Sequence, residues 1–548
     1  MSAAVLGFAP AGAFGYFRPA PRFAREAVAA DNVDASRAGA SVLAAGGNAV
    51  DAAIATALAL GVVSPSSSGF GGGGFATVCS AAGDCTFYDF RETAPRGLTS
   101  EVLSRASEPS RATHVGPLAV GVPGEPMGFL QLARSRGRLP FARLVAPAVT
   151  LARRGFAVSP WLASAIAADR EALRGDSALS AWLLPGGAPL TEGARVTRPA
   201  LARTLERYGR EGEAYLRGAF ATAFATALSA RGGVLTAAEV GAYRAVERAP
   251  LRVDFAGHTV VTAPYPSAGG LLVAETLAMV EGVGATRFAP GSSGYFHLLA
   301  ESFRGAFDDR ARYVGDPDNA GVTAPERLFA AERMGRRVAR FDPERAGAVA
   351  VDEPARDHGT THLCVIDAEG NVVSMTSTVN EAFGARLEIP ALGVIANDQI
   401  DDFSLGAGSS YGLAASRPNA LVAGRRPVSS MAPTVVLRGG RPVGCVGASG
   451  GPRIATATAQ VLLNLLVHRL DPEAAVSAPR IHHQGAPNEL RVEAEIADDV
   501  REGLRRRGYT VTVAPPLAVA QALWVDTSQG RRVLAATDPR KNAPPAGR

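Results

Sequence analysis

At 548 residues, with 47% hydrophobic and 20% charged residues, the chain is long enough for several domains or for one large α/β unit with extensions. Its 61 glycines and 37 prolines follow no period, which excludes collagen-like and low-complexity sequence. The net charge of +5 rests on arginines interleaved with Asp and Glu, Lys541 being the only lysine; this is not the clustered patch of a nucleic-acid binder, and no apolar run is long and clean enough for a transmembrane segment.

Residues 1–23 are apolar but lack a basic leading segment, and Pro10 interrupts them, so they read as an N-terminal tail or an atypical signal. DNVDASRAGASVLAAGGNAVDAAIATALALGVVSP then predicts two helices. The first is capped by Asp34 or a neighbour and stopped by Gly46-Gly47; the second is capped by Asn48 and is apolar nearly all round, hence buried. SSSGFGGGGF is a glycine-rich loop that leads into a strand and carries no GK[ST], which favours close backbone packing over a phosphate cradle. FATVCSAAGDCTFYDF reads as strand, turn, strand; it sets Cys79 opposite Cys85, where a disulfide is feasible if the Cα atoms lie within about 4.4–6.8 Å. Two unpaired thiols are the alternative, and Cys364 and Cys445 read as small core residues.

From about 125 to 345 the spacing is mostly helical, broken by a short strand pair in RVDFAGHTVVTAPYP. Residues 346–359 are turn-rich and read as a linker. At position 360 the pattern switches to a hairpin: TTHLCVID, a turn at Gly370-Asn371, then VVSMTSTVN. Strands at GVIAND and PTVVLRGGRPVGCVGASGG, a helix at TATAQVLLNLLVHRL and further strands suggest a layered α/β sandwich.

The doublet Thr360-Thr361 follows Gly359. A threonine hydroxyl is too weakly acidic to attack an amide unaided, but the α-amine of an N-terminal threonine can take its proton. For Thr360 this requires cleavage after Gly359, where glycine permits an unusual backbone conformation.

The blocks AGGNAVDAA, GFGGGGF, DFRETAP, GTTHLCVID, STVNEAFG, NDQIDDFS, RRPVSSMAPT, GASGGPRI and TDPRK stand in one order from about Ala24 to Arg540. In this the chain resembles the gamma-glutamyltranspeptidase family of N-terminal-nucleophile hydrolases. The resemblance implies a four-layer αββα fold and self-cleavage between Gly359 and Thr360. It further implies a heavy subunit over residues 24–359, a light subunit over 360–548 that stays associated with it, and Thr360 as nucleophile. It implies that Thr378 orients that nucleophile and that the N–H groups of Gly450 and Gly451 form an oxyanion hole. Arg91, Ser429 and Ser430 match the residues that hold the substrate α-carboxylate, a planar guanidinium being suited to a bidentate grip. Asn380, Gln399 and Asp402 match those that bind the α-ammonium, which needs acceptors and a counter-charge; Asp401 reads as structural. DFSLGAGSSYGLAASRPNALVAGRRP is nearly as long as the active-site lid of bacterial transpeptidases, with Tyr411 in the place of the lid aromatic.

The implied reaction cleaves the γ-glutamyl amide of glutathione or a related compound through an ester on Thr360, and passes the glutamyl group to water or an amine. No metal or organic cofactor is implied, and no HExxH or CxxC ligand set is present. The family implies a periplasmic or secreted location, to which the N-terminus lends little support. Two other readings stand beside it: a glutaryl or cephalosporin acylase of the same fold, against which Asp402 argues, and an unprocessed, non-catalytic binding homologue.

Overall fold

Alternation along the hairpin at 360 decides the architecture. Leu363, Val365, Val373 and Met375 fall in one buried apolar cluster, whereas Cys364, Ile366 and Val372 fall in another, as period two requires of a sheet covered on both faces. The computed structural model describes residues 19–109, 111–284, 286–347, 359–405, 416–485 and 488–548. The N-terminal residues 1–18, most of the expected linker (348–358) and the lid segment with Tyr411 (406–415) lie outside the described residues.

Two seven-stranded antiparallel sheets face each other. The first runs, in spatial order, Ala546–Gly547, Ala27–Ala30, Thr360–Ile366, Val372–Thr378, Gly73–Cys79, Cys85–Asp89 and Val246–Arg248. The second runs Arg22–Phe23, Arg532–Thr537, Val519–Asp526, Arg441–Ser449, Thr434–Arg438, His258–Thr262 and Leu251–Phe255. Cys364, Cys445, Val261, Val435 and Leu523 form the layer between the sheets. Helices Val33–Ala44 and Ala49–Val63 cover the first sheet, and Ala268–Val283, Ser293–Tyr313 and Arg453–Leu466 cover the second. This is the expected αββα sandwich. Both sheets interleave strands from before and after residue 360, so a break there would leave the two pieces hydrogen-bonded together.

Local rules account for the parts that build the site. Asn48 and Asp51 form a reciprocal capping box, and all of Ala49–Val63 is buried, as its apolar circumference requires. The first helix is capped by Asn32, two residues before Asp34. The glycine-rich loop does serve close packing. A Cβ at Gly72 would lie 2.1 Å from Thr378 O and one at Gly74 2.2 Å from Thr376 O, so a larger residue would push the loop off the hairpin strand. Arg22–Phe23, within the expected tail, is an edge strand.

Cys79 and Cys85 are bonded, with a Cα separation of 4.1 Å, tighter than the expected window. Ser80 N–H donates to Asp84 O, which leaves the cysteines as a directly opposed, non-hydrogen-bonded pair, the closest spacing an antiparallel ladder offers. Cys364 and Cys445 are free and buried.

Candidate active site

Thr360 opens its strand directly opposite Thr378, and their hydroxyl oxygens lie 3.1 Å apart. Thr378 Oγ1 also lies 2.9 Å from Gly359 O, and the Asn380 N–H donates to it at 2.8 Å. A hydroxyl has one proton and two lone pairs. If Thr378 gives its proton to the Gly359 carbonyl and accepts from Asn380, its remaining lone pair receives the proton of Thr360. That arrangement polarises the carbonyl between 359 and 360 and turns the Thr360 lone pairs away from Thr378. The Thr361 hydroxyl, by contrast, donates to Ser377 O at 3.3 Å.

Arg91 follows the strand Cys85–Asp89 and is 1% exposed. Its Nε donates to Pro427 O (3.3 Å), and its Nη2 donates to Val428 O (3.2 Å) and to the Asp402 carboxylate. Asp402 closes a short 3₁₀ turn, Gln399–Asp402, and also accepts from Gln399 Nε2 at 2.7 Å. Burial pushes its pKa up against the pull of Arg91. Gln399 Oε1 is buried with no hydrogen-bond partner. Flipping the amide would face oxygen to oxygen at Asp402, so this orphan acceptor follows from the contact itself.

Arg91, Thr360, Thr378, Asn380, Gln399, Asp402, Ser429, Ser430 and Gly451 line one cavity of about 20 Å³, room for a single water. Gly450 adjoins it; both glycines have positive φ (133° and 60°), and a Cβ on Gly450 would meet Ala518 Cα at 3.1 Å. The structure thus gathers all of the expected residues except Tyr411, which lies outside the described residues.

Sequence reasoning missed several charged groups here. Arg310, from the helix Ser293–Tyr313, lines the same cavity. Glu125 is fully buried, accepts from Ser377 Oγ, and is pushed well above the carboxylate range by burial. Around Asp401 of the Gln399–Asp402 turn, already read as structural, lie His114, Glu381, Asp398 and Arg386. His114 Nε2 is 3.2 Å from Asp401, and Arg386 is 2.7 Å from Glu381 and 3.5 Å from Asp398. Burial disfavours a charged His114, yet Glu381 and Asp401 outweigh it and raise its pKa. Among the described residues, ligand atoms of His114, Glu381 and Asp398 lie within 4.8 Å of one another. Arg386 already supplies both carboxylates with a cation, so the donor set fits a charge cluster better than a metal centre.

Glu92 carries a pH prediction. Neither of its carboxyl oxygens has a hydrogen-bond partner, and Arg91 Nη1 is 3.8 Å away. Burial raises its pKa to about 8, with Arg91 pulling down and Asp402 and Asp89 pushing up. The folded value exceeds the unfolded one, so its contribution to stability is full below the ordinary carboxylate range and declines as pH rises toward 8. Above that, an ionised Glu92 sets a second anion against Arg91. Glu92→Gln is therefore expected to flatten the loss of Tm between the ordinary carboxylate range and about pH 8, and the rise in KM between pH 7 and 9. Profiles parallel to wild type in both measurements would refute the assignment.

An αββα sandwich with a threonine at the mouth of a central strand is the architecture of the N-terminal-nucleophile hydrolases. The gamma-glutamyltranspeptidase family profile matches residues 35–547. The glutathione hydrolase proenzyme of Pseudomonas sp. (strain A14) is 35% identical over 529 residues, covering 93% of this chain and 91% of that protein. The acylase ACY 1 proenzyme of Pseudomonas sp. (strain SE83) is 36% identical over 495 residues, covering 88% and 87%. The crystal structure of a cephalosporin acylase from Bacillus halodurans superposes with a TM-score of 0.86 at 27% identity over 99% of both chains. The chain belongs to the gamma-glutamyltranspeptidase family.

Proposed function

We propose that this chain is a self-processing γ-glutamyl hydrolase and transferase acting on glutathione or related γ-glutamyl amides. The observation that carries the reading is the group around Asp402. A carboxylate, the buried orphan acceptor Gln399 Oε1 and the Arg91 guanidinium line one cavity with two serine hydroxyls. Together they complement the ammonium and carboxylate of an α-amino acid head.

In this reading the Thr360 hydroxyl first attacks the Gly359 carbonyl carbon, shifting that acyl group from the Thr360 nitrogen to its oxygen. Water then hydrolyses the ester, leaving a carboxylate on Gly359 and a free amine on Thr360, and the heavy region ending at 359 and the light region 360–548 remain interleaved in both sheets. The freed α-amine of Thr360 then serves as base. It accepts the hydroxyl proton as Oγ1 attacks the γ-carbonyl, and it passes that proton to the departing amine. The N–H groups of Gly450 and Gly451 stabilise the tetrahedral oxyanion. Water or the amine of an acceptor then resolves the γ-glutamyl ester. Arg91, Ser429 and Ser430 hold the carboxylate; Asn380, Gln399 and Asp402 hold the ammonium.

The acylase relatives make amide hydrolysis without an α-ammonium the second reading. A glutaryl group would leave Gln399 Oε1 and Asp402 unmatched, which favours γ-glutamyl. The test is incubation with glutathione and with a matched glutaryl amide, alongside intact mass of the chains. Fragments ending at Gly359 and beginning at Thr360, with preferential release of cysteinylglycine, are expected. A single uncut chain without turnover, or faster turnover of the glutaryl amide, would overturn the reading.

A further inference from the structure

Arg310 is the one arginine of this cavity that the reading above leaves unused. It sits in the last turns of the helix Ser293–Tyr313, is 6% exposed, and lines the cavity with Arg91 and Asp402. Its Nε is buried without a hydrogen-bond partner. A buried, incompletely bonded guanidinium is costly, and an unpaired charge persists where it compensates another. The helix itself is pinned from behind: the neighbouring Asp309 accepts from Arg333 at 2.6 Å and from Arg337 at 3.2 Å, and Arg337 pairs with Glu275 at 2.7 Å. The helix that carries Arg310 is therefore held in place by contacts outside the cavity.

The charge count at the cavity gives it a task. In this structure Arg91 is the direct partner of Asp402. A substrate carboxylate claims the same guanidinium, and the cavity has to widen to admit an α-amino acid head. Arg91 is then divided between two anions, and Asp402 faces an ammonium with its resident cation partly drawn away.

We propose that Arg310 is a positioning residue for Asp402: it supplies the compensating cation that keeps Asp402 ionised and aimed at the substrate ammonium once Arg91 has turned to the carboxylate. The electrostatics agree in both directions. Arg310 is among the groups that lower the Asp402 pKa, and Asp402 opposes the burial that brings Arg310 down to about 10. Arg310 acts on the ammonium half of the site and not on the carboxylate half. It thereby favours α-amino acyl groups over their des-amino analogues.

This inference rests on the γ-glutamyl reading, and its test separates the two. Binding of L-glutamate and of glutarate, which lacks only the ammonium, is measured by calorimetry on wild type, Arg310→Met and Arg310→Lys, alongside turnover of a γ-glutamyl amide. Arg310→Met is expected to weaken L-glutamate binding at least tenfold and glutarate binding less than threefold. Turnover should show the loss in KM with kcat within about threefold, and Arg310→Lys should recover most of the affinity. In an Asp402→Asn background the Arg310→Met effect on L-glutamate should shrink below twofold. Equal losses for both ligands, or a loss that persists without the Asp402 charge, would overturn the proposal. If Arg310→Met does not fold, Arg310→Lys and Arg310→Gln compared on the two ligands decide it by the same ratio. Absence of γ-glutamyl turnover in wild type would count against the functional reading alone, since the glutamate-to-glutarate ratio still reports on Arg310.

Discussion

Thr360→Ala is expected to yield one uncut chain of 56.4 kDa with no measurable turnover. One hydroxyl is asked to do two jobs. In the proposed mechanism it attacks the Gly359 carbonyl, and the same oxygen, once beside a free amine, attacks the substrate. Removing it removes both, so the loss should be roughly 10⁴-fold or more, the scale seen when a nucleophile that acts as a unit with its base is deleted. Thr360→Ser keeps the oxygen and should still process, more slowly, because the missing methyl leaves the hydroxyl freer to rotate away from Thr378. Thr361→Ala is the internal control: its hydroxyl is engaged by Ser377 O, and its loss should leave cleavage at Gly359 intact. Intact mass spectrometry of the three variants decides the matter, and normal two-chain processing of Thr360→Ala would end the assignment.

Much of this site was legible in the sequence, for uneven reasons. The hairpin at 360, the capping box at Asn48 and the Cys79–Cys85 turn follow from local pattern, and each folds as local rules require. The αββα fold was not legible that way. It depends on pairing Gly73–Cys79 with Val372–Thr378, some 300 residues apart, and no periodicity records such a partner; family resemblance supplied it. Arg91 and Asp402 came from the same source. Arg310 lies in FDDRARY, where one arginine among several on an amphipathic helix looks like a solvated face until packing buries it. Glu92 stands beside Arg91 in DFRETAP and reads as its surface counter-ion; only burial turns it into an acid with a pKa of about 8. His114 and Arg386 have no pattern around them, and tertiary contact alone brings them to Asp401, Glu381 and Asp398.

Asp402→Asn is expected to change what the enzyme prefers, beyond lowering its rate. The substitution is nearly isosteric, so the amide oxygen introduced there can still accept from Arg91 and Gln399, and the 3₁₀ turn that carries it should hold. What disappears is the negative charge facing the substrate ammonium. Hydrogen bonds to charged groups contribute about 1.5–3 kcal/mol, so kcat/KM for a γ-glutamyl amide should fall roughly 10- to 100-fold. The matched glutaryl amide brings no ammonium and loses nothing by the change. It gains, because Arg91 is no longer held by a competing carboxylate and turns to the substrate carboxylate at lower cost. The ratio of the two activities should therefore shift by about 100-fold toward glutaryl, with processing at Gly359 unaffected, since Asp402 takes no part in the Thr360–Thr378–Gly359 hydrogen bonds. Parallel steady-state assays on the two amides measure that ratio. A uniform loss on both would mean that Asp402 holds Arg91 in place and does not read the ammonium at all.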